Sequence, residues 1–292
     1  MKNILGIIRT ICLVTALLPF VGCSKNSKGN TKSRVVDTGN RPDVSPPAFN
    51  LPGGVSLEMV KIKAGSFMMG SPRGEKGRDD DEAQHRVTIS KPFLIGKYEV
   101  TQKQWQAVMG NNPSRFKGED LPVERVSWYE AKLFCNKLNK LFFAGKLPKG
   151  YCFDLPTEAQ WEYACRAGTT TALNNGKDLT SESGDCPNLD EVGWYGKDSG
   201  ETTHAVGRTR PNAWGLYDMH GNVWEWCRDW YGDYGGDAVD PAGPASGSVR
   251  VYRGGGWSGI ARYCRSADRE NFDGPGNRNG NRGFRLALVP VQ

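Results

Sequence analysis

The side chains with the widest chemical range in this 292-residue chain are eight cysteines and three histidines. Cys12 and Cys23 lie near the start, which leaves Cys135, Cys152, Cys165, Cys186, Cys227 and Cys264 for the body of the protein. None of them forms a C-x-x-C pair, and His85, His204 and His220 lie far apart, so the spacing of a zinc cluster is missing. In an exported domain six thiols can pair as disulfides, in about 15 ways that sequence alone does not separate. Beyond Cys227 only Cys264 remains, so two-thiol redox chemistry has no partner in the final stretch. A nucleophilic serine is equally unsupported, because Gly256-Trp257-Ser258-Gly259-Ile260 lacks the closing glycine of a nucleophile elbow. Asp79, Asp80, Asp81 and Glu82 can attract a cation, yet a charge run of this kind reads first as a solvated loop.

Three stretches must carry these groups. Lys2 and Arg9 precede an apolar run, residues 11–20, shorter than the ~20 residues that span a bilayer, as in a secretory signal. Phe20-Val21-Gly22-Cys23, followed by Ser24-Lys25-Asn26-Ser27, resembles a lipoprotein signal in which Cys23 becomes the lipidated N-terminus, with Phe20 departing from the usual leucine. Residues 1–22 are therefore expected to be a signal peptide. Residues 23–56, rich in Lys, Asn, Ser, Gly and Pro, are expected to be a lipidated N-terminus and flexible tether, reaching roughly 100 Å when extended. Loss of Lys2 and Arg9 takes the net charge from +6 to +4, too weak and scattered to point to nucleic acid.

From residue 57 onward there is no second linker, and 57–292 reads as one domain. Its 37 glycines and many aromatic residues predict a loop-rich fold with tight turns pinned by large rings. Short apolar runs at 59–62, 66–69, 86–89 and 93–98 read as strands. Ser127-Trp128-Tyr129-Glu130 and Thr157-Glu158-Ala159-Gln160 are capping boxes that start helices, and Thr101 is a candidate cap for another. After about residue 168 helical periodicity ends. Six of the nine tryptophans then fall between Trp194 and Trp257, a scaffold in which Trp214, Trp224, Trp226 and Trp230 are expected to be core. Eight arginines crowd residues 250–285 while lysine stops at Lys197, which suits irregular backbone held by planar, multi-donor guanidinium groups.

Leu155-Pro156-Thr157-Glu158-Ala159-Gln160-Trp161-Glu162-Tyr163-Ala164, the run from Asn212 to Trp226 through Gly221-Asn222-Val223-Trp224-Glu225, Arg253-Gly254-Gly255 and Gly283-Phe284-Arg285-Leu286 occur in an order that resembles the formylglycine-generating enzyme or sulfatase-modifying-factor family. The resemblance covers about residues 57–289 and implies an α+β, C-type-lectin-like fold. In that family a cysteine pair downstream of the Gly-Gly motif oxidises a substrate cysteine; here that stretch reads Trp257-Ser258-Gly259-Ile260-Ala261-Arg262-Tyr263, so no catalytic residue is assigned and no enzyme activity is expected. The resemblance further implies a disulfide between Cys165 and Cys264, with Cys227 as the competing partner. It also implies a structural calcium held by the Asp218 and Glu225 side chains with the Gly221 and Val223 carbonyls; no other cofactor is required.

The tail also resembles the variable region of retroelement-diversified proteins, lipoproteins of treponemal type among them, in which adenine-directed mutagenesis rewrites a lectin-fold surface. Tyr252, Gly256, Ser258, Gly259, Ile260, Arg262, Tyr263, Asp268, Asn271, Phe272, Asp273 and Gly274 are all reachable from an AAC codon by changing adenines, and Lys, Gln and Met are absent from 250–285. These positions, Gly274 set aside, are the candidate ligand contacts, with rings and charges distributed as in antibody loops. The expected protein is a monomeric lipoprotein anchored in the bacterial envelope, surface-exposed on the outer membrane. Its expected partners are a ligand, taken to be a protein, and the membrane through the lipid, with no nucleic acid. The alternatives are a divergent oxidase of the resembled type and an envelope scaffold.

Overall fold

The computed structural model describes residues 49–142 and 146–291; the signal segment, Cys23 and most of the tether lie outside the described residues. All described residues belong to one compact unit, 45–292. Its first strands are β1 (Phe49–Leu51) and β2 (Val55–Leu57), an antiparallel hairpin. This corrects the boundary expected at residue 57. Pro52-Gly53-Gly54 reads as linker but forms the turn of the hairpin, and Phe49 is buried edge-on against Phe142 and Phe153 at 5.3 and 5.1 Å.

The strands read from short apolar runs follow: β3 (Met59–Ile62), β4 (Gly65–Met69), β5 (His85–Ile89) and β6 (Phe93–Gly96). Three helices start where the sequence places their caps: α1 (Gln102–Met109), α2 (Trp128–Leu141) and, after β7 (Tyr151–Asp154), α3 (Glu158–Arg166). Each has a reciprocal capping box, Thr101 with Gln104, Ser127 with Glu130 and Thr157 with Gln160, which satisfies two otherwise orphaned amides. α1 and α2 are amphipathic, and Trp105, Phe134 and Phe284 stack where they meet the chain's last segment.

The second half is built of short pieces: α4 (Pro187–Asp190), β8 (Gly193–Trp194), β9 (His220–Gly221), β10 (Trp224–Trp230), β11 (Ala238–Val239), β12 (Arg250–Arg253), β13 (Arg269–Glu270), β14 (Arg282–Gly283) and β15 (Ala287–Pro290). The sheets are non-sequential. One has the order β3-β6-β15-β7, so the end of the chain closes a sheet begun near its start; another runs β13-β12-β10-β14 and carries the tail; a third is β11-β5-β4. No described helix is long and apolar enough to cross a membrane.

Candidate ligand-binding surface

The tail is fastened from beneath by buried guanidinium groups, as the arginine bias predicts. Arg253, fully buried, donates to Glu162 at 2.6 Å and to the Ser266 and Asp268 carbonyls at 3.0 and 2.7 Å. Arg269 grips Glu158 through two 2.8 Å bonds, and Arg285 grips Glu225 at 2.6 and 2.7 Å. Two-pronged bonds of this kind fix orientation as well as charge. Glu158 and Glu162 stand one turn apart on α3, which is why nearly all of that helix is buried although its sequence shows only a narrow apolar stripe.

The Gly-Gly motif sets the turn that starts the surface. Gly254 and Gly255 have φ of 97° and 78°, and a Cβ on Gly255 would lie 2.4 Å from the Cys264 sulfur. The chain then passes through a 3-10 turn, Ala261–Cys264, to β13.

Residues 73–82 form a loop that is solvated only in part: Arg73, Lys76 and Asp80 are exposed, whereas the end of the loop turns inward. Glu82 is fully buried, and Arg265 bonds it through both nitrogens while reaching Glu75 at 2.9 Å and Asp268 at 3.3 Å. Burial would raise the Glu82 pKa, but the Arg265 hydrogen bond and charge hold it below the usual carboxylate range. Asp79, Glu82 and Asp268 bring oxygens within 4.8 Å of one another, and the Arg265 guanidinium already supplies positive charge there. Asp79 meets Arg262, so the acidic loop becomes one wall of an open groove of about 400 Å³. Asp79–Asp81 and Tyr231 line it together with the tail residues Arg262, Tyr263, Arg269, Glu270, Asn271 and Phe272. This wall was missed in the sequence because its partners are about 180 residues away.

The candidate contacts divide by burial. Phe272 is 76% exposed, Ser258 is exposed, and Gly259, Ile260, Arg262, Tyr263, Asn271 and Asp273 are half-buried. Arg262, Tyr263, Asn271 and Phe272 meet in the groove; Ser258 instead accepts from Asn281 at 3.1 Å, and Asp273 pairs with Arg282 at 2.9 Å. Three assignments are corrected. Tyr252 is 1% exposed, wedged edge-on against Trp224 and Trp226, and its hydroxyl accepts the Phe272 amide. Asp268 is 1% exposed beside Arg265, and Gly256 is buried under Trp224 and Asn281. These three support the surface rather than touch a ligand.

The expected disulfide is not formed, and all six described cysteines are free. Cys165 donates to Ser266 Oγ at 3.5 Å and faces His220 Nε2 at 3.9 Å, while the Cys264 carbonyl meets His220 Nδ1 at 2.6 Å. The Asn174 amide donates to Nε2, so the neutral imidazole carries its proton on Nδ1, and burial lowers its pKa to about 4. Cys165 and Cys264 also belong to different core clusters, and burial pushes both thiol pKa values up, to about 12 for Cys165.

The implied calcium residues are brought together, but their charges are partly committed. Glu225 binds Arg285 through both oxygens and also accepts from Trp161 at 2.8 Å; Asp218 accepts from the Gly207 amide at 2.6 Å. Gly221 and Val223 flank Asn222, whose φ is 63°. A third carboxylate, Glu99, missed in the sequence, lies beside them with one oxygen unpartnered. Three buried acids around one guanidinium leave excess negative charge. Burial first, and mutual repulsion with it, push Asp218 up to about 6 and Glu99 well above the usual carboxylate range. Of the three, only Glu99 keeps a free oxygen: both Asp218 oxygens accept, from the Gly207 amide and from Thr209, and the Glu225 carboxylate is taken by Arg285.

Comparison with known proteins agrees with this architecture. The chain is 37% identical to Treponema denticola variable protein 1, whose solved structure superposes with a TM-score of 0.72 over 84% of this chain and 99% of that one. It is 32% identical to the chaperone protein LppX of Paenibacillus barcinonensis, over 76% of this chain and 86% of that protein. It is 28% identical to the formylglycine-generating enzyme of Thermomonospora curvata, over 82% and 96%. Residues 52–289 match the model of the sulfatase-modifying factor enzyme 1-like domain, and the chain belongs to that family.

Proposed function

We propose that this chain is a lipid-anchored binding protein of the bacterial envelope, displayed on the outer surface, whose exposed tail captures a ligand and is rewritten by adenine-directed mutagenesis. The observation that carries the reading is the contrast within the tail. Phe272 presents an almost bare ring at the mouth of a groove, while Arg253, Arg265 and Arg269, earlier in the same tail, are buried in ion pairs with acids elsewhere in the fold. A large exposed ring on a rigidly held loop costs folding energy little and serves recognition well. The likeness to Treponema denticola variable protein 1 supports it. Sequencing the 3′ end of the gene through a growing population tests the diversification: changes at adenines in the codons for the exposed positions are expected, and an invariant segment refutes it. Replacing Tyr263 and Phe272 together by Ala should abolish capture of a partner selected on the unaltered chain while moving the melting temperature by only a few degrees; undiminished capture refutes the surface.

The likeness to formylglycine-generating enzymes favours one competing reading, a divergent oxidase. Against it stands Cys264, a lone and fully buried thiol beyond Cys227. No conversion of a cysteine-containing peptide to its aldehyde is expected. A calcium ion held by Glu99 and Asp218 would act as a structural neutraliser of buried charge.

A further inference from the structure

Four carboxylates line the groove, those of Asp79, Asp80, Asp81 and Glu270, and the cations near them are largely committed. Arg262 pairs with Asp79, and Arg78 pairs with Asp80 at 3.1 Å. Arg269 is locked on Glu158 and lies over the Tyr231 and Tyr234 rings at 4.4 and 4.0 Å. Asp81 and Glu270 have no such partner among the described residues. One Asp81 oxygen accepts the Tyr231 hydroxyl, and the other is buried with no partner. Glu270 is only 7% exposed yet opens into the groove; its carboxylate meets the Asn271 amide and no side-chain donor among the described residues. Burial, then Asp79 and Asp81, push its pKa up to about 7, with Arg262 opposing. The rings of Tyr263 and Phe272 line the same groove, with the Arg262 guanidinium 5.5 Å from the Tyr263 ring.

We infer that the groove takes a cationic side chain, a lysine or arginine of a protein partner, with its charged head between Asp81 and Glu270 and its stem along Phe272 and Tyr263. This rests on the tail being the binding surface and names what that surface recognises. Two carboxylates that have no cationic partner among the described residues, in a partly buried site, are what an incoming cation relieves, and the exposed Phe272 ring adds attraction through its negative face. A proton and the cation compete for Glu270, so binding tightens as pH rises from 6 to 8, while lysine stays charged.

The test uses the full chain and a fluorescein-labelled hexalysine peptide, with hexaglutamate as the opposite probe, read by anisotropy at low salt. Asp81→Asn with Glu270→Gln, which keeps shape and hydrogen-bonding capacity, should weaken hexalysine binding about tenfold and flatten its pH dependence. Glu58→Gln with Glu119→Gln, exposed acids paired with Lys97 and Lys103, should leave binding unchanged. Equal binding by the Asp81/Glu270 variant, or preference for hexaglutamate, overturns the inference. A partner selected on the unaltered chain and held equally by the Asp81/Glu270 variant also overturns it but leaves the tail reading intact. Dependence on Asp81 and Glu270 with indifference to Tyr263→Ala/Phe272→Ala supports the cation site and removes the tail reading.

Discussion

Arg253 is the residue on which the tail's architecture depends most, and its replacement by leucine measures that dependence. Its side chain is fully buried, its Nη2 lies 2.6 Å from Glu162 and its Nε 3.2 Å from Glu158, and its Nη1 holds the carbonyls of Ser266 and Asp268. Arg253→Leu keeps the bulk but strands carboxylate charge already shared with Arg166 and Arg269. Breaking a buried pair from one side costs about 3–5 kcal/mol, and leaving a buried carbonyl unsatisfied adds about 1–3 kcal/mol. The total approaches the ~5–15 kcal/mol that holds a domain together. Arg253→Lys keeps the charge but loses the fork, with an expected loss of about 2–3 kcal/mol. At ~2–4 °C per kcal/mol for a domain of this size, the lysine variant should melt about 5–10 °C lower and the leucine variant should barely fold. Thermal melts of both variants at neutral pH decide it. A leucine variant melting within about 3 °C of the original would refute the idea that this ion network anchors the surface.

Gly255→Ala should cost more than about 2 kcal/mol, because its φ of 78° and the Cys264 sulfur at 2.4 Å both oppose a Cβ; an unchanged chemical-denaturation midpoint refutes the tight turn. The raised pKa of Asp218, about 6, means that the folded state holds this proton more tightly than the unfolded one, so stability is fully present below the unfolded value near 3.8 and is lost as pH rises through 6. That loss is about 3 kcal/mol for Asp218 alone, and Asp229, pushed by burial to about 7, acts in the same direction. With chelator present the melting temperature should therefore fall between pH 5 and pH 7.5, and millimolar calcium should restore part of it at pH 7.5 through Glu99 and Asp218. A melting temperature indifferent to both pH and calcium refutes the account of that cluster.

What was legible in the sequence was local. Capping boxes at Ser127 and Thr157 work through residues three apart, so they mark helix starts without knowledge of the rest of the chain. The arginine crowding of the tail identified the kind of fastening but not its other half. Glu75, Glu82, Glu158 and Glu162 look like solvent-facing charges until the arginines arrive from up to 190 residues away. Pro52-Gly53-Gly54 carries the same composition whether it is a tether or a hairpin turn; only Phe49, reaching Phe142 and Phe153, separates the two. Codon permissiveness, likewise, says which residues a position can become and nothing about whether that position faces water, so it does not separate buried Tyr252, Gly256 and Asp268 from exposed Phe272.

Asp268 shows how mutable positions and scaffold meet. It is 1% exposed, one of its oxygens has no partner, and the other lies 3.3 Å from Arg265, whose closer bonds go to Glu82 and Glu75. Burial, despite Arg265, lifts its pKa well above the usual carboxylate range, so a charged Asp268 is an expense to the fold at neutral pH. An amide of the same shape carries no such charge and can still accept from Arg265. Asparagine, the residue encoded by AAC, should thus be accepted here: Asp268→Asn should melt at the same temperature as the original or higher at pH 7.5. Exposed Phe272 should accept almost any residue, whereas Tyr252, packed between two tryptophans, should not. A drop of more than about 5 °C for Asp268→Asn at pH 7.5 would mean that the carboxylate is held ionised by Arg265, and that the scaffold draws on this acid as it does on Glu82.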